Sequence, residues 1–201
     1  MVDEIVQREW DFFQLVHHID GRASCQDDFE TFYLQRKSQF LALNYEVQSS
    51  YLNDLKQAKA MGRNPVMEKY AYMMAYTDPQ YYDTIKDQLP PISEEKKQFV
   101  DTFCEIEVQM REEFNQKYPH LAALARNTHS FEDEKEDTSF ETYLRGELYT
   151  YSMNTLYEYG KMLADLMNKH LNLITMIMEQ TVLSYGYCSL EHAEEKYAGL
   201  R

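Results

Sequence analysis

The sequence predicts an all-α protein: a bundle of about eight helices, built from two pseudo-repeated units around two long central helices. Three observations carry this expectation. Glycine (6) and proline (5) are scarce among 201 residues, so turns are few and elements long. Apolar residues recur at the helical period through most of the chain. The sequence also resembles itself. Phe29-Glu30-Thr31-Phe32 returns as Phe140-Glu141-Thr142-Tyr143, an offset of 111 (140 − 29). Under that offset Leu52 falls on Leu163, Asp54 on Asp165, Leu55 on Leu166, Met67 on Met178, Glu68 on Glu179 and Tyr76 on Tyr187. The chain reads as one compact domain, 1–201, with pseudo-repeats 1–90 and 91–201.

Residues 3–19 form the first expected helix, with Ile5, Trp10, Phe12, Phe13 and Val16 on its apolar side and Gly21 ending it. Gly21 to Asp28 is a loop. Asp27 and Glu30 resemble a capping box that opens a long helix over 28–61, with Phe29, Tyr33, Phe40, Val47, Tyr51 and Leu55 on its stripe. Gly62 stops it. Pro65 opens a shorter helix, and Asp78-Pro79 opens another to about Gln88. Pro90-Pro91 divides the halves. Ser93 then caps a helix carrying Phe99, Phe103, Ile106, Met110 and Phe114, which ends before Pro119.

The polar stretch 125–137 reads as a mobile loop. Thr138 with Glu141 gives a second capping box for a long helix over 139–170. A helix over 173–184 and a short one capped by Ser189 complete the chain. Arg8-Glu9 also matches Arg111-Glu112, an offset of 103 (111 − 8).

The net charge of −14 repels polyanions at long range. Nucleic-acid binding and membrane-surface binding are therefore not expected. No apolar run has the roughly 18 residues needed to span a bilayer. The acidic segment Met1-Val2-Asp3-Glu4-Ile5 lacks the basic and apolar regions of a secretion signal. Cys25, Cys104 and Cys188 are widely spaced, with no CxxC pair. Reduced thiols and a cytoplasmic location are the expectation.

Gly21-Arg22-Ala23-Ser24-Cys25-Gln26-Asp27-Asp28 is the segment with the most chemistry. Caps account for Gly21 and Asp27 and a surface ion pair for Arg22; the alternative is that the cluster serves a function. Cys25 is a candidate nucleophile beside His17 and His18, opposed by the two flanking aspartates. Arg36 and Gln39 lie on adjacent turns, as do Arg145 and Tyr149. Paired arginines can hold a carboxylate or another anion, although ion pairs with the abundant acids explain them too. Trp10 is a core residue or a flat platform. Adjacent His17 and His18 point apart on a helix. Neither HExxH nor an ExxH pair occurs, so no metal and no cofactor is expected.

Arg8-Glu9-Trp10, the GRASCQD string at 21–27, Arg36 with Ser38-Gln39-Phe40, and the SFETYLRGEL string at 139–148 resemble the bacterial family known as domain of unknown function 4125. Lys117-Tyr118-Pro119-His120-Leu121 and Tyr185-Gly186-Tyr187 fit it too. The resemblance covers nearly the whole chain. It implies a compact helical protein and no activity. An association of relatives with a nucleotidyltransferase-like domain hints at an accessory role.

The expected function is therefore a ligand- or partner-binding module. Its cleft would use Trp10, Arg22, Cys25, Gln26, Asp27, Arg36, Gln39, Arg145 and Glu147 to take a small anionic ligand or a protein partner. One alternative is an enzyme acting through Cys25 or an Asp27/Glu147 carboxylate pair. Another is a scaffold presenting Tyr81, Tyr82, Tyr149 and Tyr157.

Overall fold

The computed structural model describes residues 1–16, 21–135 and 137–199. Among them are eleven α-helices, three short 3-10 turns and no strand. The helices are α1 (Val2–Phe13), α2 (Phe29–Leu41), α3 (Tyr45–Ala60), α4 (Pro65–Thr77), α5 (Pro79–Ile85), α6 (Glu94–Lys117), α7 (Pro119–Ala122), α8 (Phe140–Thr150), α9 (Met153–Asn168), α10 (Leu173–Ser184) and α11 (Leu190–Ala198).

The two expected long central helices are each broken. Ala42-Leu43-Asn44 separates α2 from α3, and Tyr151-Ser152 separates α8 from α9. Apolar periodicity continues across both breaks, so periodicity alone does not reveal them. Capping does. Asn44 accepts the Val47 amide at 3.0 Å, and Ser152 accepts that of Thr155 at 3.2 Å. The carbonyls freed at the breaks also find donors. Gln48 Nε2 donates to Phe40 and Leu43 (2.8 and 2.7 Å). Lys96 Nζ donates to Tyr149 and Tyr151 (3.1 and 2.6 Å).

The caps of α2 and α8 each sit one residue later than expected. Asp28 accepts the Thr31 amide and Ser139 that of Thr142. The first helix is shorter than expected, ending at Phe13. The 125–137 segment is tied down at Asp133, which accepts from the Ser139 amide and the Thr142 hydroxyl (2.6 and 2.5 Å).

The halves bury matching positions, in registers different from the expected ones. Ile5, Val6, Glu9, Phe12 and Phe13 of α1 are buried, as are Phe103, Cys104, Glu107, Met110 and Arg111 of α6. Val47, Tyr51, Leu55 and Ala58 of α3 correspond likewise to Thr155, Tyr159, Leu163 and Leu166 of α9. Asn64 caps α4 and donates to Phe12 O at 2.8 Å; Asn172 caps α10 and donates to Met110 O at 2.8 Å.

In burial, Glu9 holds the place in α1 that Glu107 holds in α6, a register different from the expected match of Arg8-Glu9 to Arg111-Glu112. The offset of 111 holds from α2 to α8, where Arg36 faces Glu147. It fails beyond the break, because α2 and its connection are longer than α8 and its connection by three residues. A three-residue slip moves a helix by nearly one turn, so apolar residues still fall on apolar residues. That is why the slip goes unnoticed in sequence.

The packing is exchanged between the halves: α4 lies on α8 and α10 on α2, while α3 and α9 meet. The α4–α8 approach requires Gly146. A Cβ there would meet Lys69 O at 2.9 Å and Met73 Cγ at 2.7 Å. This contact brings Lys69 beside Glu147.

Candidate functional site

Two features of the bundle hold buried charge, and they differ in one respect: whether that charge is paired. The first is centred on Arg36. Its Nε and Nη2 donate to the two Glu9 oxygens at 2.7 and 2.6 Å. Its Nη1 and Nη2 donate to the two Glu147 oxygens, each at 3.0 Å. Nη1 also donates to Gln39 Oε1 at 2.6 Å, and Gln39 Nε2 donates to Glu147 at 3.2 Å.

Tyr51 donates to Glu9 at 2.7 Å, and Tyr151 to Glu147 at 3.2 Å. Lys69 Nζ lies 3.5 Å from Glu147 and 2.9 Å from the Tyr143 hydroxyl. Two carboxylates and two cations cancel. Burial pushes the Glu147 carboxyl up, but Arg36 and Lys69 overcome this and hold it at about 2. Burial opposes the charges on Arg36 and Lys69, yet their acidic and phenolic neighbours keep both protonated. The void beside them, lined by Glu9, Tyr51, Lys69 and Glu147, is only about 10 Å³. That is no room for a ligand, and Arg36 has all five of its N–H donors engaged.

Of the residues expected to form one cleft, the structure brings together Arg36, Gln39 and Glu147. The others lie elsewhere. Gln26 Nε2 donates to Phe13 O and Val16 O (2.8 and 3.0 Å), so it satisfies carbonyls following α1. Arg22 donates to Asp27, Gln14 and Gln26 O, latching the loop shut. Trp10 packs against Phe13, Phe29 and Phe32. Arg145 pairs with Asp101 and Glu141 and lies over Tyr76.

Cys25 is an exposed free thiol. His17 and His18, its proposed bases, lie outside the described residues. Asp27 is an exposed partner of Arg22, whereas Glu147 is enclosed, so these carboxylates share no pocket. Tyr81 and Tyr157 are exposed; Tyr149 packs edge-on against Tyr72.

The second feature is a solvent-open cavity of about 570 Å³ between α2, α6, α7, α8, α10 and α11. Its walls are Leu121, Leu124, Phe140, Met178, Val182, Tyr185, Tyr187 and Tyr197, with Arg111 and Arg126 as its charges. The α11 side is fixed by Glu194, which accepts from the His120 and Leu121 amides at 2.8 Å each, and by Glu191, which accepts from Tyr118 at 2.6 Å.

Arg111 is 6% exposed. Among the described residues it has no ion pair and no hydrogen bond, and its Nε is an orphaned buried donor. Its guanidinium lies 5.9 and 5.7 Å from the Phe114 and Phe140 ring centroids. Burial pulls its pKa down. In the same burial register α1 carries Phe13, which stacks on Phe32 at 5.5 Å.

The functional expectations missed Lys69 and Arg111, and placed Glu9 only as part of the Arg8-Glu9-Trp10 string that could line the cleft. A signal for Glu9 and Arg111 exists. Glu9 is four residues after Ile5 on the apolar stripe of α1, and Arg111 lies eight after Phe103 on that of α6. A charge on an apolar stripe is the mark of a buried polar role.

Among the described residues no group of three His, Cys, Asp or Glu side chains is placed to hold a metal ion. No helix among them is long and apolar enough to cross a membrane. Neither the curated proteins nor the solved structures hold a significant match to this chain. Residues 1–195 match the family model described as "Protein of unknown function (DUF4125)", and the chain belongs to that family.

Proposed function

We propose that this protein is a ligand-binding module that takes a small anion in the Arg111 cavity. One observation carries the reading: a buried arginine with no ion pair or hydrogen bond among the described residues, its Nε orphaned, lining a space of ligand size. A buried cation left unpaired is costly. It persists where something other than the fold uses it. The Arg36 cluster is given a structural role, joining α1, α2, α4 and α8, because its charges are already neutralised.

The same reading treats the halves as copies of one helical unit within a single domain, supported by the paired Asn64 and Asn172 caps. The free thiols support a cytoplasmic setting. An accessory role beside a nucleotidyltransferase-like partner is compatible with a binding module and rests on the family association alone.

The test is a thermal-stability screen against nucleotides, phosphorylated metabolites and carboxylates. A specific ligand at a hundredfold excess over its Kd stabilises the protein by about 2.7 kcal/mol. The expected result is stabilisation by one class of anion, abolished in Arg111→Met and kept in Arg22→Ala. No response to any anion, or a response that survives Arg111→Met, defeats the proposal.

A further inference from the structure

We infer that the ligand of the Arg111 cavity is a carboxylate carried on an apolar or aromatic body, a monoanion rather than a phosphate ester. The inference rests on the binding role proposed above and names the chemistry of that site. Four features point to it.

First, the sign of the site is set by contrast with the rest of the chain. The protein has 34 acidic and 20 basic residues, yet no carboxylate lines this cavity among the described residues, while two arginines do. A net charge of −14 also raises the cost of bringing in a multiply charged anion.

Second, only one of those arginines is buried. Arg126 is exposed and already donates to Thr138 O at 3.1 Å. Arg111 is thus the cation that an anion meets out of water, while the charge of Arg126 stays solvated. A planar guanidinium matches a carboxylate through two parallel N–H···O bonds.

Third, the usual means of holding a phosphate is spent. Phe140, on the cavity wall, opens α8, but the first amides of that helix are occupied. Those of Phe140 and Glu141 donate to Asn127 O (2.8 Å) and Thr128 O (3.1 Å), and that of Thr142 to Ser139 Oγ (3.2 Å). No free backbone amide of that first turn remains for phosphate oxygens.

Fourth, the remaining wall suits a ring or an acyl chain. Phe140, Met178, Val182 and Leu121 are apolar, and Tyr185 and Tyr187 offer ring faces. The Tyr185 hydroxyl accepts from Gln35 at 3.1 Å, which leaves its own proton for a ligand oxygen.

The test is calorimetric titration of the full chain with four probes: 2-naphthoate, 2-naphthamide, 2-naphthyl phosphate and inorganic phosphate. The inference expects 2-naphthoate to bind at least tenfold more tightly than each of the others. Binding should be lost in Arg111→Met and weakened about tenfold in Arg111→Lys, which keeps the charge but loses the fork. Circular dichroism and the melting temperature verify that both variants fold.

Equal or tighter binding of 2-naphthyl phosphate overturns the carboxylate assignment and leaves the anion-binding reading standing. Equal binding of 2-naphthamide, or binding of 2-naphthoate that survives Arg111→Met, overturns both. Binding of inorganic phosphate alone overturns the apolar body. Failure of all four probes overturns the inference, and the wider anion screen then decides the function separately.

Discussion

Arg36 and Glu147 stand at matching positions of α2 and α8, and they hold each other through two hydrogen bonds of 3.0 Å. Like charges at these two positions would repel, and here α2 carries the cation and α8 the anion. Glu9 and Lys69 complete a neutral set. Removing one member of such a set leaves a buried charge uncompensated, at a cost of about 3–5 kcal/mol. Arg36→Met is expected to lower stability by that amount in urea unfolding, with Glu147→Gln less severe. A loss below 1 kcal/mol in Arg36→Met would show that the cluster does not join the helices.

Glu107 shows what happens to a buried carboxyl with no arginine beside it. Among the described residues its one hydrogen-bond partner is Tyr159, at 2.7 Å. Burial drives its pKa up to about 8; the Tyr159 bond lowers it in part, and the charge of Glu147 adds to the rise. The folded protein thus holds a proton that the unfolded chain releases near pH 4.5. The associated stability is complete below pH 4.5 and is lost as pH rises through about 8.

Glu147 has the opposite sign. Its carboxyl is held down at about 2, so its contribution is complete above pH 4.5 and is lost as pH falls towards 2. Urea midpoints at pH 6 and 9 should fall in wild type and change less in Glu107→Gln. Parallel slopes in the two proteins would refute the assignment.

Arg111→Met should separate stability from function. The substitution removes a buried donor that has no partner among the described residues and leaves an apolar side chain beside Phe114 and Phe140. We expect the variant to gain about 1 kcal/mol or more in the absence of ligand. The measurement is the unfolding free energy of wild type and variant in a buffer free of carboxylates and phosphate. A clear loss of stability would mean that the guanidinium serves the fold.

Gly146→Ala tests the closest helix contact. The new methyl would stand 2.9 Å from Lys69 O, a backbone atom that cannot turn aside. A loss of about 1–3 kcal/mol is expected, read by thermal or urea unfolding. An unchanged midpoint would show that α4 and α8 separate without penalty.

His170→Gly should stabilise. His170 ends α9 in the left-handed region with φ +53°, where α3 ends on Gly62 at φ +68°. The amides of Leu171 and Arg63 close the two turns alike, onto Leu166 O and Ala58 O (2.9 Å each). Relieving the Cβ strain is expected to add about 1 kcal/mol to the unfolding free energy. A decrease would reveal an interaction of the imidazole that outweighs its backbone strain.

The sequence by itself determined the helical class, the Gly62 stop, the Pro65 and Pro79 openings, the Ser93 and Ser189 caps and the return of the FET triplet. These are local effects: each depends on residues within one or two turns, so a linear chain displays them. Arg36, Gln39 and Glu147 were also legible as a polar group.

Tertiary structure alone decided the breaks at Asn44 and Ser152, because apolar periodicity runs on across a capped kink. It decided the register between the halves, because helices slipped by three residues present nearly the same face. It decided which arginine is free. Arg22, Arg36, Arg111 and Arg145 are alike as letters. Arg22, Arg36 and Arg145 meet carboxylates brought from other turns and helices, and Arg111 meets Phe114, Phe140 and a cavity. Charge pairing is a property of distances between segments remote in the chain, and those distances exist only in the fold.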